Sequence, residues 1–216
     1  MKKLVIFDLD GTLLNTIADL AHSTNYALNK LGYPTHEIEK YNFMVGNGID
    51  KLFERALPEG EKSKENVLRV RKEFVPYYDI HNADDSRPYP GIPELLSYLQ
   101  DAGIQIVFIS NNVEERVATF AKGLNIPFYP FAMKPLPKTY RKMLKDFHVK
   151  RDVVAVLGDQ LMTDILGANV MRFYTILTAQ VVERDLSFTK VNRVFENIVF
   201  SLLKVTGKLV KGEYDE

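Results

Sequence analysis

The 216-residue sequence contains no cysteine, which excludes a disulfide framework, thiolate metal sites and a cysteine nucleophile, and is compatible with a reducing compartment. It has no excess of either charge, since 28 lysines and arginines stand against 28 aspartates and glutamates. No global field draws the chain to a nucleic acid or an anionic membrane, so any such partner would need a local patch. Long apolar runs are missing too. Only Leu4 to Phe7 lie between Met1-Lys2-Lys3 and Asp8, too few for a signal peptide, and no stretch approaches the roughly 18 apolar residues of a membrane span. The four histidines, His22, His36, His81 and His148, show no metal-ligand spacing. Internal repeats and low-complexity tracts are likewise missing. What remains is globular composition, 46% hydrophobic and 26% charged, in a length that fits one core domain with an insertion or two small domains. The expectation is a cytoplasmic protein without a nucleic-acid or membrane partner; no pattern sets its oligomeric state.

Leu4-Val5-Ile6-Phe7 is a continuous apolar run ending at Asp8, the pattern of a central parallel strand buried on both faces. Helical spacing follows over Thr16 to Leu31, stopped by Gly32 and Pro34, and again over Ile49 to Leu57 and Lys64 to Tyr78. Arg87-Pro88-Tyr89-Pro90-Gly91 is a stiff breaker, after which Ile92, Leu95, Leu96 and Leu99 resume helical spacing until Gly103. Strand and helix then alternate: strand over Ile104 to Ile109, helices over Glu114 to Gly123 and Pro135 to Phe147, strand over Val153 to Leu157, a short helix over Thr163 to Ala168, strand over Phe173 to Leu177, and a last helix within Phe188 to Leu209. Alternation of this kind predicts parallel βαβ units. The insertion after the first strand is roughly 70 residues long, against the 2 to 6 usual for a βα loop. The predicted fold is therefore α/β: a Rossmann-like core with a parallel sheet, residues 1–14 and 88–216, and an inserted helical cap, residues 15–87.

Polar residues gather at the predicted strand ends, where open α/β sheets bind ligands. Asp8-Leu9-Asp10-Gly11-Thr12-Leu13 follows the first strand. One carboxylate there can attack phosphorus while the second, two residues on, handles the leaving-group proton; a lone Asp-x-Asp would read as a solvated turn. Ser110-Asn111-Asn112 ends the second strand, where a hydroxyl and adjacent amides can hold a phosphoryl oxygen or cap a helix. Lys134-Pro135 offers an ammonium to neutralise bound phosphate. Gly158-Asp159-Gln160-Leu161-Met162-Thr163-Asp164 ends the next strand, and its two carboxylates form a hard-oxygen site suited to Mg²⁺.

Taken in order, these segments resemble the four motifs of the haloacid dehalogenase (HAD) superfamily of phosphohydrolases, over nearly the whole chain. The resemblance implies that Asp8 is the nucleophile and Asp10 the general acid, then base. Ser110, Asn111 and Lys134 would hold the phosphoryl group, and Mg²⁺ would be held by Asp8, the backbone carbonyl of Asp10 and Asp159, with Asp164 either a ligand or a partner that orients one. Residues 1 to about 103 look like phosphoglycolate phosphatases with a helical C1-type cap, whereas residues from about 104 look like capless class IIIA phosphatases of the YqeG type. The expectation is a chimera joined near residues 88 to 106, the alternative being a natural sequence that diverged. Met44-Val45-Gly46-Asn47-Gly48-Ile49 resembles the cap loop that closes over the site, making Gly46, Asn47 and Gly48 candidate substrate contacts; Asn47-Gly48 is equally a turn signal. A cap excludes water and selects small substrates. The implied activity is Mg²⁺-dependent hydrolysis of a small phosphorylated metabolite, phosphoglycolate-like, through an aspartyl-phosphate. A phosphomutase of the same superfamily and a catalytically idle hybrid or binding protein are the alternatives.

Overall fold

The computed structural model describes residues 1–45, 48–111, 118 and 124–178. Apart from Ala118, the helices expected over 114–123 and 188–209, and the cap-loop residues Gly46 and Asn47, lie outside the described residues. Five parallel strands form the core sheet: β1 (Leu4–Asp8), β4 (Gln105–Ile109), β5 (Phe128–Tyr129), β6 (Val154–Gly158) and β7 (Tyr174–Leu177), in the order β5-β4-β1-β6-β7. As its unbroken apolar run predicts, β1 is central and buried along its whole length. It pairs in parallel with β4 from Leu4↔Gln105 to Asp8↔Ile109, and with β6 from Leu4↔Val154 to Phe7↔Leu157.

The two-residue period of the strands splits their side chains between two apolar layers. Leu4 and Ile6 pack with Val107, Ile109, Val154 and Val156 against Tyr140 and Met143 of α6 (Lys138–Asp146) and Ala168 of α7 (Leu166–Val170). Val5 and Phe7 pack with Ile106, Phe108 and Ala155 against Leu96 of α5 (Ile92–Asp101) on the opposite face. Truncating a buried ring such as Phe7 costs about 3–5 kcal/mol in such a layer.

Between β1 and α5 lie α1 (Ile17–Lys30), α2 (Ile38–Tyr41), α3 (Ile49–Ala56) and α4 (Lys64–His81). Their apolar faces form a third cluster of their own, built on Ala21, Leu28, Phe53, Val70 and Phe74. Ser63 begins α4 by accepting from the amide of Asn66 at 3.2 Å. The two ends of this helical insertion are tied together. β2 (Leu14–Asn15) and β3 (Arg87–Pro88) pair antiparallel, Leu14 opposite Pro88 and Asn15 opposite Arg87. Asp19, buried in the first turn of α1, accepts from the Asp85 amide at 2.8 Å and from the Ser86 hydroxyl at 2.5 Å.

Several boundaries depart from the sequence pattern. The helix expected from Pro135 starts at Lys138, because Pro135 and Pro137 carry no amide hydrogen and the Leu136 amide closes a turn on the Met133 carbonyl. The helix expected from Thr163 is a π-helical turn, Leu161–Ile165, running into α7. Short elements escaped the periodicity altogether: β2, β3, α2 and β5. Among the described residues, no helix is long and apolar enough to cross a membrane.

Candidate active site

Parallel strands deliver their C-terminal ends to one edge of the sheet, and the residues singled out in the sequence meet there. Asp8 is the last residue of β1 and is buried. Directly after it the chain folds back on itself, with the Leu13 and Leu14 amides both donating to the Leu9 carbonyl, at 2.9 and 3.0 Å. Gly11 makes that turn possible: its φ is +80°, and a Cβ there would lie 2.8 Å from Asp159 Oδ2. Both the left-handed backbone and the close approach require glycine. Thr12 then donates its hydroxyl to Asp8 Oδ2 at 3.3 Å, a contact that the sequence reading left unassigned although Thr12 stood within the motif.

Ser110 follows β4, buried, and its hydroxyl lies 3.5 Å from Asp10 Oδ2. Asn111 uses its side-chain amide on the neighbouring loop rather than on the site's centre: Oδ1 accepts from the Lys134 amide at 2.8 Å, and Nδ2 donates to the Lys134 carbonyl at 3.4 Å. That bracket fixes the backbone of the one buried cation among the described residues. The Lys134 ammonium donates to Asp8 Oδ1, and to Asp164 Oδ1 at 2.7 Å. Asp164 in turn accepts from the Gln160 amide at 3.1 Å. Gly158 leaves it room, since a Cβ at that position would fall 2.5 Å from the Asp164 side chain. Carboxylate oxygens of Asp8, Asp159 and Asp164 lie within 4.8 Å of one another. Gly48 precedes α3 in the helical insertion, at φ +86°, and takes no part in these contacts.

The electrostatics follow from burial. Loss of water raises the Asp8 carboxyl most, Asp164 and Asp10 add to the rise, and Lys134 opposes it, a balance that leaves Asp8 pushed up to about 8. Burial acts downward on Lys134, but the Asp8 and Asp164 carboxylates together outweigh it and hold the ammonium protonated well above its ordinary range. Buried carboxylates in excess of cations form an all-oxygen donor set, the chemistry that a hard divalent cation satisfies. The spacing of the three carboxylates fits one such ion. A titratable group shifted by burial and by a specific charge partner at a strand end is the physical mark of a reaction centre.

Residues 5–178 match the family of haloacid dehalogenase-like hydrolases, and the chain belongs to that family. Sequence relatives that it matches are named phosphatases, and the chain is a phosphatase-type hydrolase of this family. One is the YqeG phosphatase of Bacillus subtilis, 36% identical over 56% of this chain and 70% of its own. Another is the phosphoglycolate phosphatase of Vibrio parahaemolyticus, 31% identical over 77% of this chain and 78% of its own. Against some other phosphoglycolate phosphatases the match spans only about half of their length, as with the 57% matched in Thiobacillus denitrificans. A crystal structure from Lactobacillus delbrueckii subsp. bulgaricus, provisionally designated a phosphoglycolate phosphatase, superposes with a TM-score of 0.70 at 28% identity, covering 82% of this chain and 86% of that one.

Proposed function

We propose that the protein hydrolyses a small phosphomonoester of the phosphoglycolate kind, in the cytoplasm, with Asp8 as nucleophile. The observation that carries this reading is the grouping of Asp8, Lys134 and Asp164 in direct contact at the end of the central strand, with Asp159 close by. In the first step a carboxylate oxygen of Asp8 attacks phosphorus. The ester P–O bond breaks as Asp10 gives its proton to the leaving oxygen, and an aspartyl-phosphate remains. In the second step Asp10 takes a proton from water, the water oxygen bonds to phosphorus, and the P–O bond to Asp8 breaks to release phosphate. Lys134 and Ser110 hold the phosphoryl oxygens throughout, and the Asn111 bracket on the Lys134 backbone keeps the ammonium in position. Asp8, Asp159, Asp164 and the Asp10 carbonyl would hold Mg²⁺, which offsets the charge of the nucleophile and phosphate as they approach.

The helical insertion, residues 15–87, acts in this reading as a cap over a core formed by residues 1–14 and 88–216. Its separate apolar cluster and its tied ends support that division. Gly46, Asn47 and Gly48 are its substrate-contact residues, and closure restricts the site to small esters. The test is release of nitrophenol from para-nitrophenyl phosphate, with and without Mg²⁺, by the native chain and Asp8→Asn in parallel. Mg²⁺-dependent turnover should fall by at least roughly 10⁴-fold in the variant. Native-like turnover in Asp8→Asn would end the mechanism. A screen of small and bulky phosphate esters then tests the substrate class, and comparable rates on both would refute the preference for small ones.

A further inference from the structure

The chain as a whole carries no net charge, yet one helix concentrates cations on a single face. Tyr140 and Met143 turn the inner side of α6 into the core. On its outer side Lys138, Arg141, Lys142 and Lys145 are exposed at the spacing i, i+3, i+4 and i+7, which aligns them in one stripe. Lys142 pairs with Asp146 at 2.7 Å. Lys138, Arg141 and Lys145 pair with no carboxylate among the described residues. Exposed Lys150 and Arg151 continue the cationic segment beyond the helix.

The loop leading into this helix is apolar and open to solvent. Phe131, Met133 and Leu136 are 59%, 54% and 53% exposed, three large apolar side chains within six residues. Phe131 and Met133 also hold positive φ, +47° and +53°, a conformation that bulky residues rarely adopt. Strain of this kind persists where something requires it. Burial within the chain is not the return here, since both side chains remain exposed.

We propose that Phe131, Met133 and Leu136 together with the exposed cations Lys138, Arg141, Lys142 and Lys145 form a docking surface for an anionic lipid bilayer. Apolar side chains of the loop enter the boundary between headgroups and acyl chains, and the cationic stripe lies at the level of the lipid phosphates. This pairing of the two chemistries favours a bilayer over a nucleic acid, which would match the cations but leave Met133 and Leu136 in water. The same loop carries Lys134, whose ammonium reaches Asp8, so the surface begins beside the reaction centre. The inference stands independently of the substrate reading.

The test is flotation of the full chain with vesicles of phosphatidylcholine alone and of phosphatidylcholine mixed with phosphatidylserine. Binding is expected only to the anionic vesicles and should weaken with added salt. Replacing Lys138, Arg141 and Lys145 together by alanine should weaken it by roughly 100-fold, about five-fold for each cation, while hydrolysis of para-nitrophenyl phosphate is retained. Because the chain contains no tryptophan, Phe131→Trp supplies a single fluorophore, whose emission should shift to the blue with anionic vesicles. Tyr98→Trp on α5, across the sheet from α6, should not shift. The proposal is overturned by equal binding to neutral vesicles, by no binding to anionic ones, by native-like binding of the triple variant, or by retention of single-stranded RNA in place of vesicles.

Discussion

Replacing Lys134 by alanine removes the cation that lies between two buried carboxylates, Asp8 and Asp164. Breaking a buried pair by deleting one partner costs about 3–5 kcal/mol, because an uncompensated charge stays behind. Set against a total stability of roughly 5–15 kcal/mol, and at about 2–4 °C per kcal/mol for a chain of this size, the melting temperature should fall by about 6–20 °C. The loss should depend on pH with a definite sign. Burial already pushes the Asp8 carboxyl up to about 8, above its value in the unfolded chain, so folding favours its protonated form and stability declines as pH rises between those two values. Without Lys134 the Asp8 value rises further and the decline extends beyond pH 8. From about pH 4 to about pH 8 the two stability curves should therefore run parallel, and the gap between variant and native protein should widen from there toward about pH 9. Mg²⁺ should narrow it at neutral pH, by supplying charge to the carboxylates of the folded state. Thermal melts over that range, with and without Mg²⁺, measure both effects. A gap that is constant with pH and indifferent to Mg²⁺ would refute the electrostatic account, leaving only lost packing.

Other perturbations test separate parts of the same frame. Gly11→Ala sets a Cβ 2.8 Å from Asp159 Oδ2 at φ +80°; it should cost about 1–2 kcal/mol in backbone strain alone and lower turnover more than ten-fold, and native activity would show that the turn tolerates a side chain. Asp19→Ala leaves the Asp85 amide and Ser86 hydroxyl without their acceptor; urea unfolding should report a loss of about 1–3 kcal/mol, and a raised KM with kcat nearly unchanged would place the effect on closure of the insertion rather than on chemistry. Tyr140→Phe removes a buried hydroxyl with no hydrogen-bond partner among the described residues, so its melting temperature should hold or rise; a fall of several degrees would show that the hydroxyl is satisfied in solution.

How much of this was legible beforehand depended on the length of each signal. The run Leu4 to Phe7 identified the central strand, and the strand ends identified Asp8, Ser110, Asp159 and Asp164, because their apolar runs stop abruptly at polar residues. Lys134 was legible as a possible phosphate partner but gained weight only through the resemblance to a family, since a single lysine between segments has no pattern of its own. Its role in the geometry comes from Asn111, whose side chain holds the Lys134 backbone across the sheet edge, a contact between distant residues that local periodicity does not encode. Two-residue strands escaped for a related reason. β2 and β3 exist because Asn15 meets Arg87 and Leu14 meets Pro88, and proline in a strand argues against a strand until its edge position is known. The basic face of α6 was hidden by composition, where its cations cancelled against acids elsewhere in the chain.

The β2 and β3 pairing also bears on how such a chain can change over generations. The segment between them, residues 16–86, leaves the sheet and returns to it at neighbouring points, Asn15 beside Arg87. A tight hairpin turn of about two to five residues would bridge the same gap. Loss of the whole segment, or its exchange for one of another size, therefore leaves the strand register of the core undisturbed, and the loop-closure term grows only slowly with the length inserted. Selection can then work on what enters the site and on the site itself as two nearly independent inheritances.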